Sequence, residues 1–549
     1  MVWTEPEGPD SAAECTGKGA IATPNRIRYQ VTLKHHAPVS GEHPVADGAM
    51  HIAKELPEDE ILSCEASLSV PFGPDDRVFM NGYQSWTYCP EYDRSGFTRG
   101  IRLRGPLRES LGLESYGDYA FVSYPEREGI THGVSYCYFR SGDRFRLAAS
   151  LDENPGYTLF RYDTASHELR IRRDCAGLRC GGQYPLFDLF FAEGSETEVF
   201  DAWFAAMGVK PRTLEKLAGY SSWYNRYQKI SADTIREDLN GCIGRLQPGD
   251  LFQIDDGWEP RVGDWLEADG RKFPAGMKAA ADAIHAAGFR AGLWLAPFAA
   301  QKGSRICREH PDWLLRDGKG KPWFAGVTWG GFYALDLDRP AVIAYLEKVF
   351  DRVLNDWGYN LVKLDFLYAA APFGSADETR AARMRRALEL LRRLCGDRLI
   401  LGCGVPLMPA FGLVDYCRIG CDVGLDWDDK PYMRLVNRER VSTRHSIGNT
   451  IFRRQLSGRA WLNDPDVFFL RERNLKLTQE QKHVLATVNS VLGGVLLHSD
   501  NMAHYDAAAR AQYARLLQNR EAENIRVEDA DGLTLRYELG GREYRVKIE

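Results

Sequence analysis

Leu361-Val362-Lys363-Leu364-Asp365-Phe366 decides how this chain is read. Apolar residues flank one lysine and one aspartate two positions apart, so on a β-strand Lys363 and Asp365 share a face. Burying a charged pair in an apolar run is costly. The pair is either a buried ion pair with no chemical task or a catalytic carboxylate at the mouth of a parallel barrel. The ends of the neighbouring strands distinguish the two.

Working outward, a strand, loop, helix pattern repeats from about residue 218. Strands are expected at 218–223, 251–256, 290–296, 361–366, 398–403, 416–420, 459–463 and 493–498. Between them, helix 341–357 places Val342, Leu346, Val349, Phe350 and Val353 on one face, and helix 378–395 does the same with Met384, Leu388 and Leu391. Gly288 and Gly358 follow helices where a left-handed cap belongs. Eight such units make a (β/α)8 barrel. A doubly wound sheet would carry a glycine-rich first turn, which is missing.

Residues 1–200 are β-rich, with short β-branched or aromatic runs at 26–33, 61–70, 136–139, 144–150, 168–172 and 186–191, and read as a large antiparallel sandwich. Within it Asn81-Gly82-Tyr83-Gln84-Ser85-Trp86 reads as a buried aromatic turn or as a loop reaching across to the next domain. The division expected is 1–200, a catalytic barrel over 201–500, and a small β domain over 501–549, whose strands lie at 532–538 and 543–547. The net charge of −6 suggests neither a nucleic-acid nor a membrane partner. The first ten residues show no signal peptide and no run is long enough to span a membrane. Twelve scattered cysteines without a C-x-x-C pair fit reduced thiols in a cytoplasm. The oligomeric state is left open.

The strand ends carry the chemistry: Trp223-Tyr224, Asp255-Asp256, Trp294, Lys363 with Asp365, Cys403-Gly404, Arg418 with Asp422, Asn463-Asp464 and His498. Asp464 reads as a loop cap and His498 as a core histidine. Histidine is nearly missing from these ends, so no metal or cofactor site is expected. Carboxylates, cations and indoles together suit a sugar. Glycoside hydrolysis needs two carboxyl groups of opposed protonation state. Lys363 is expected to keep Asp365 ionised, and desolvation to keep Asp422 protonated.

These stretches also resemble a known family. Gly219–Tyr224, Gln253–Trp258, Gly292–Phe298, Lys363–Phe366, Arg418–Asp422 and Trp461–Asp466, together with Asn81–Trp86, look like the glycoside hydrolase family 36 α-galactosidases of the compact bacterial or archaeal type. The resemblance runs from about residue 75 to the C-terminus. It implies an N-terminal β-supersandwich, a barrel and a C-terminal β domain. It also implies a retaining hydrolase for terminal α-linked galactose in raffinose- or melibiose-type sugars. Asp365 would be the nucleophile and Asp422 the acid/base. Asp255 and Asp256 would bind O4 and O6, Lys363 the O3/O4 edge and Arg418 the O2 edge. Trp223, Tyr224 and Trp294 would shape the pocket, with Phe366 beside the nucleophile and Cys403 and Gly404 near the sugar 2-position. The loop Gly402–Pro406 lacks the Ser/Gly continuation of some members, which leaves open an α-N-acetylgalactosaminidase, or a galactosyl transferase using the same covalent intermediate. A non-catalytic sugar binder would have lost one of the two carboxylates, and both are present.

Overall fold

Short, mostly apolar and buried runs form the barrel strands because both faces of a parallel sheet are covered. In the computed structural model these are Leu217–Ser221, Leu251–Ile254, Arg290–Leu295, Leu361–Leu364, Leu399–Gly402, Tyr416–Arg418, Leu462–Asp464 and Val495–His498, each of the first six hydrogen-bonded in parallel to the next. The structure describes residues 26–548 apart from 104, 106, 107, 109, 429, 530 and 531, so the reading of the first ten residues lies outside the described part. The ring closes through a broken seventh strand. Leu462–Asp464 pairs with the sixth strand, and after Pro465 and Asp466 the chain resumes as Val467–Phe468 and pairs with the eighth. The eighth pairs with the first. Asp466 turns this corner at φ 76°, in the left-handed region. The seventh strand therefore starts three residues later than expected, at Leu462 instead of 459, because 457–461 fold into a turn bridged from Ser457 to Trp461.

The helices follow the sequence pattern. Arg380–Cys395 is capped by Thr379, whose side chain accepts from the Ala382 N–H. Pro340–Asp351 continues into a wider turn, Arg352–Asp356. Gly288 and Gly358 take φ 87° and 82°, as their cap positions require. Two features are additions to the expected pattern. Between the third and fourth strands a small antiparallel sheet is inserted, made of Ala299–Gln301, Phe324–Gly326 and Phe332–Ala334. After the eighth strand comes helix Ala507–Asn519, and only then a three-stranded sheet, Glu523–Glu528, Thr534–Leu539 and Arg542–Lys547.

The N-terminal part is an antiparallel sheet of eleven strands, dominated by Gly48–Ser69 and Arg179–Ser195, which pair along most of their length. The sheet folds over its own core, in which Ile27, Ile52, Val78, Phe139, Ile171 and Leu189 are buried together. Helix Glu196–Met207, opened by a Ser195/Glu198 capping box, buries Val199, Phe200, Trp203 and Phe204 and leads into the barrel. Trp203 packs on both Tyr136 of the sandwich and Phe411 of the barrel. No described helix is long and apolar enough to cross a membrane.

Candidate active site

Asp365 stands one residue beyond Leu361–Leu364. Its backbone N–H donates to Leu295 O at 2.8 Å, which ties it to the third strand. Its Oδ2 accepts from the Trp294 indole at 3.1 Å and its Oδ1 from the Phe366 N–H at 2.8 Å. Phe366 sits at φ 54°, uncommon for a bulky residue. Rings of Trp86, Trp329 and Phe332 hold it there, at centroid distances of 5.0, 4.7 and 5.5 Å. Burial pushes the Asp365 carboxyl above the usual range. The Lys363 ammonium opposes that push and the Asp422 charge adds to it.

The expected pairing of Lys363 with Asp365 is thus only part of the picture. The ion pair of Lys363 is with Asp255, Nζ to Oδ2 at 2.9 Å, both side chains buried. Burial works against the ammonium, yet Asp255, and more weakly Asp365, hold it protonated. Asp255 Oδ2 also accepts from Gln253 Nε2 at 2.9 Å. Asp256 Oδ2 accepts from the Trp329 indole at 2.8 Å and from Gln228 Nε2 at 2.9 Å. Burial raises Asp256, and it raises the enclosed carboxyl of Glu259 much further, helped by the charge of Asp256.

Asp422 corrects a second expectation. Its side chain is 37% exposed rather than desolvated, and Arg418 Nη1 lies 3.0 Å from its Oδ1. Arg418, 3% exposed, is a hub: Nε reaches Asp464 at 3.1 Å and Nη2 reaches Asp466 at 2.9 Å. Asp464 also caps its own turn through the Asp466 N–H at 2.9 Å. Asp466 takes the Tyr224 hydroxyl at 2.5 Å and the Val423 N–H at 2.9 Å, and burial lifts it to about 7 against the pull of Arg418.

These groups surround a cavity of about 390 Å³. Trp223, Asp255, Asp256, Trp294, Lys363, Asp365, Phe366 and Asp422 line it. Tyr224, Cys403, Gly404 and Arg418 stand behind the wall and act through other side chains. The stretch 81–86 is both a buried turn and a loop that crosses to the barrel. The Trp86 indole donates to Cys403 Sγ at 3.3 Å, and a Cβ on Gly404 would come within 2.8 Å of the Trp86 ring. The sequence reading missed Trp329, Glu259 and Asp466 as partners of the site, and Leu113, Tyr116, Met433 and Val441 as its outer wall. One signal for Trp329 was available: the interval between the third and fourth strands is far longer than helix 341–357 needs.

The chain is similar to several known proteins. Residues 222–390 match the Melibiase family model. A stretch of 139 residues is 33% identical to an A type blood α-D-galactosamine galactosaminidase of Flavonifractor plautii, covering 24% of this chain and 13% of that protein. A stretch of 152 residues is 30% identical to an α-galactosidase of Escherichia coli, covering 26% of this chain and 21% of that one. The matched stretches thus span less than a quarter of these two curated relatives. The solved α-galactosidase TtGalA of Thermus thermophilus, in complex with p-nitrophenyl α-D-galactopyranoside, superposes with a TM-score of 0.72 at 27% identity, over 90% of this chain and 98% of that one.

Proposed function

We propose that this homologue of the α-galactosidases is itself an exo-acting glycoside hydrolase of the family 36 kind, removing terminal α-linked galactose from raffinose- and melibiose-type oligosaccharides with retention. One observation carries the reading: two carboxylates from different strands, Asp365 enclosed and Asp422 half-exposed, face one cavity whose floor is the Asp255–Lys363 pair. In the first step Asp365 attacks C1, the bond from C1 to the leaving oxygen breaks, and Asp422 gives that oxygen its proton. In the second, Asp422 takes a proton from water, the water oxygen bonds to C1, and the ester to Asp365 breaks. Trp294 and the Phe366 N–H aim the nucleophile, while Lys363 favours its charged form. Asp255 and Asp256 supply acceptors for O4 and O6, and Lys363 a donor for the O3/O4 edge. The polar floor then selects the axial hydroxyl, since a missing partner leaves buried charges unpaired.

Trp86 favours galactose over its 2-acetamido analogue. Its ring closes on Gly404 and its indole on Cys403, filling the space that the resemblance places beside the sugar 2-position. Eleven described cysteines are free thiols, which fits a reducing cytoplasm. The test is Asp365→Ala with an aryl α-galactoside. Turnover should fall by about 10⁴-fold or more, and added azide should restore aglycone release while forming β-galactosyl azide. Near-normal turnover of the variant, or inverted product from the parent enzyme, would sink the assignment.

A further inference from the structure

Beside the catalytic cavity lies a second one, of about 320 Å³, with a different character. Five arginines line it: Arg99, Arg434, Arg438, Arg440 and Arg444. Arg438 and Arg440 are buried at its floor, and Arg99, Arg434 and Arg444 are exposed at its rim. Asp428 is the one carboxylate lining it among the described residues. It takes both bonds from Arg440 Nη2, at 2.9 and 2.8 Å, and stands 3.7 Å from Arg434. Among the described lining residues, five guanidiniums stand against one carboxylate. Arg438 donates to the Tyr88 carbonyl at 2.9 Å, which is neutral. His445, stacked on Tyr88 at 3.7 Å, adds no compensating charge: burial and then Arg440, Arg444, Arg438 and Arg434 hold its imidazole well below the usual range, and so neutral. Glu439 is turned away to Thr87 at 2.7 Å and Tyr119 at 2.9 Å, and it and Asp118 balance part of the Arg438 charge from behind the floor.

Cations converging on one concave wall raise the local concentration of anions, and guanidinium forks match the tetrahedral oxygens of phosphate and sulfate. We propose that this cavity is a binding site for a phosphate or sulfate group, free or carried on a sugar, separate from the catalytic pocket. Val436, Asn437 and Arg440 line both cavities, so the occupied site would brace the outer wall of the catalytic one. The proposal stands independently of the hydrolase reading, because its readout is binding.

The experiment is calorimetric titration of the full chain with inorganic phosphate at low ionic strength, with chloride as control. A parallel titration uses the double variant Arg99→Ser/Arg434→Ser. Both side chains are exposed, and an unchanged thermal midpoint confirms that the variant is folded. Saturable phosphate binding, weakened about tenfold or more in the variant, is the expected result. A second arm uses glucose 6-phosphate: tighter binding than phosphate assigns the site to a sugar ester, and equal binding assigns it to the free oxyanion. No saturable phosphate binding, or the same affinity in parent and variant, overturns the proposal.

Discussion

Trp329 reaches the site from outside the barrel strands, at the tip of the inserted sheet and at φ 58°. Its indole N–H on Asp256 is a bond to a charged acceptor, a class worth about 1.5–3 kcal/mol. Trp329→Phe keeps a ring against Phe366 and Trp294 and removes only that bond. Michaelis constants for aryl galactosides should rise by about tenfold with a smaller change in kcat, because Asp256 binds the sugar and does not react. An unchanged Michaelis constant in steady-state kinetics would show that Asp256 is oriented by Gln228 and Glu259 alone. At this scale the sequence is legible where polar chemistry interrupts an apolar run: Asp365, Asp255 and Asp256 stand out for that reason. Trp329 does not, because a tryptophan among Gly330, Gly331 and Phe332 carries no period. Nor does Asp466, whose distinction is a left-handed backbone and burial against Arg418. The surroundings of the two carboxylates were legible only in part. Arg418 and exposure at Asp422, and burial at Asp365, are properties of the packed site.

Among the elements, the loop 81–89 joins sandwich to active site. Ser85 N–H donates to Val405 O at 2.9 Å, and Gln84 pairs with Pro406. Arg453, fully buried at the end of helix Thr443–Phe452, donates to Ser85 O at 2.7 Å and to Ile419 O at 2.9 Å, bridging loop and sixth strand. Trp86→Ala removes a ring held by Phe366, Tyr368 and Tyr116. The cost in stability should be about 3–5 kcal/mol, read as a lowered midpoint in urea. The variant should also gain on N-acetylgalactosaminide relative to galactoside, by about tenfold in the ratio of kcat/KM, roughly the 1–3 kcal/mol a small steric change commands. An unchanged ratio would mean that Trp86 does not border the 2-position. The barrel strands are legible because each is a short, mostly apolar run, most of them separated by amphipathic helices. The inserted sheet is not, since its strands are only three residues each, too short to show a period. The extra strand Glu523–Glu528 escapes for a different reason: only Ile525 and Val527 are apolar and half-buried, among polar or charged, exposed neighbours.

For the whole molecule, the sandwich and barrel are coupled by buried polar contacts as well as by Trp203. The turn at 151–157 is one such seam: Thr379, the cap of helix Arg380–Cys395, donates to Asn154 O at 2.7 Å, and Arg380 pairs with Asp174 at 2.7 Å. Within this turn Glu153 is 5% exposed. Its Oε2 accepts from the Thr158 N–H at 2.6 Å, while its Oε1 lacks a hydrogen-bond partner. Burial lifts its carboxyl from 4.5 to about 8, although the Arg173 charge and the Thr158 N–H pull the other way. Below pH 4.5 both folded and unfolded chains hold this proton. Between 4.5 and about 8 only the folded chain does, so unfolding releases a proton and stability falls as pH rises. Each tenfold difference in proton affinity is worth about 1.4 kcal/mol. Glu153→Gln keeps the shape and an acceptor for Thr158 and removes the titration. Its thermal midpoint relative to the parent should therefore climb by a few degrees between pH 5 and pH 9, where the parent must hold a buried carboxylate. Should the two midpoints keep a constant separation across that range, the proton on Glu153 contributes nothing to the seam.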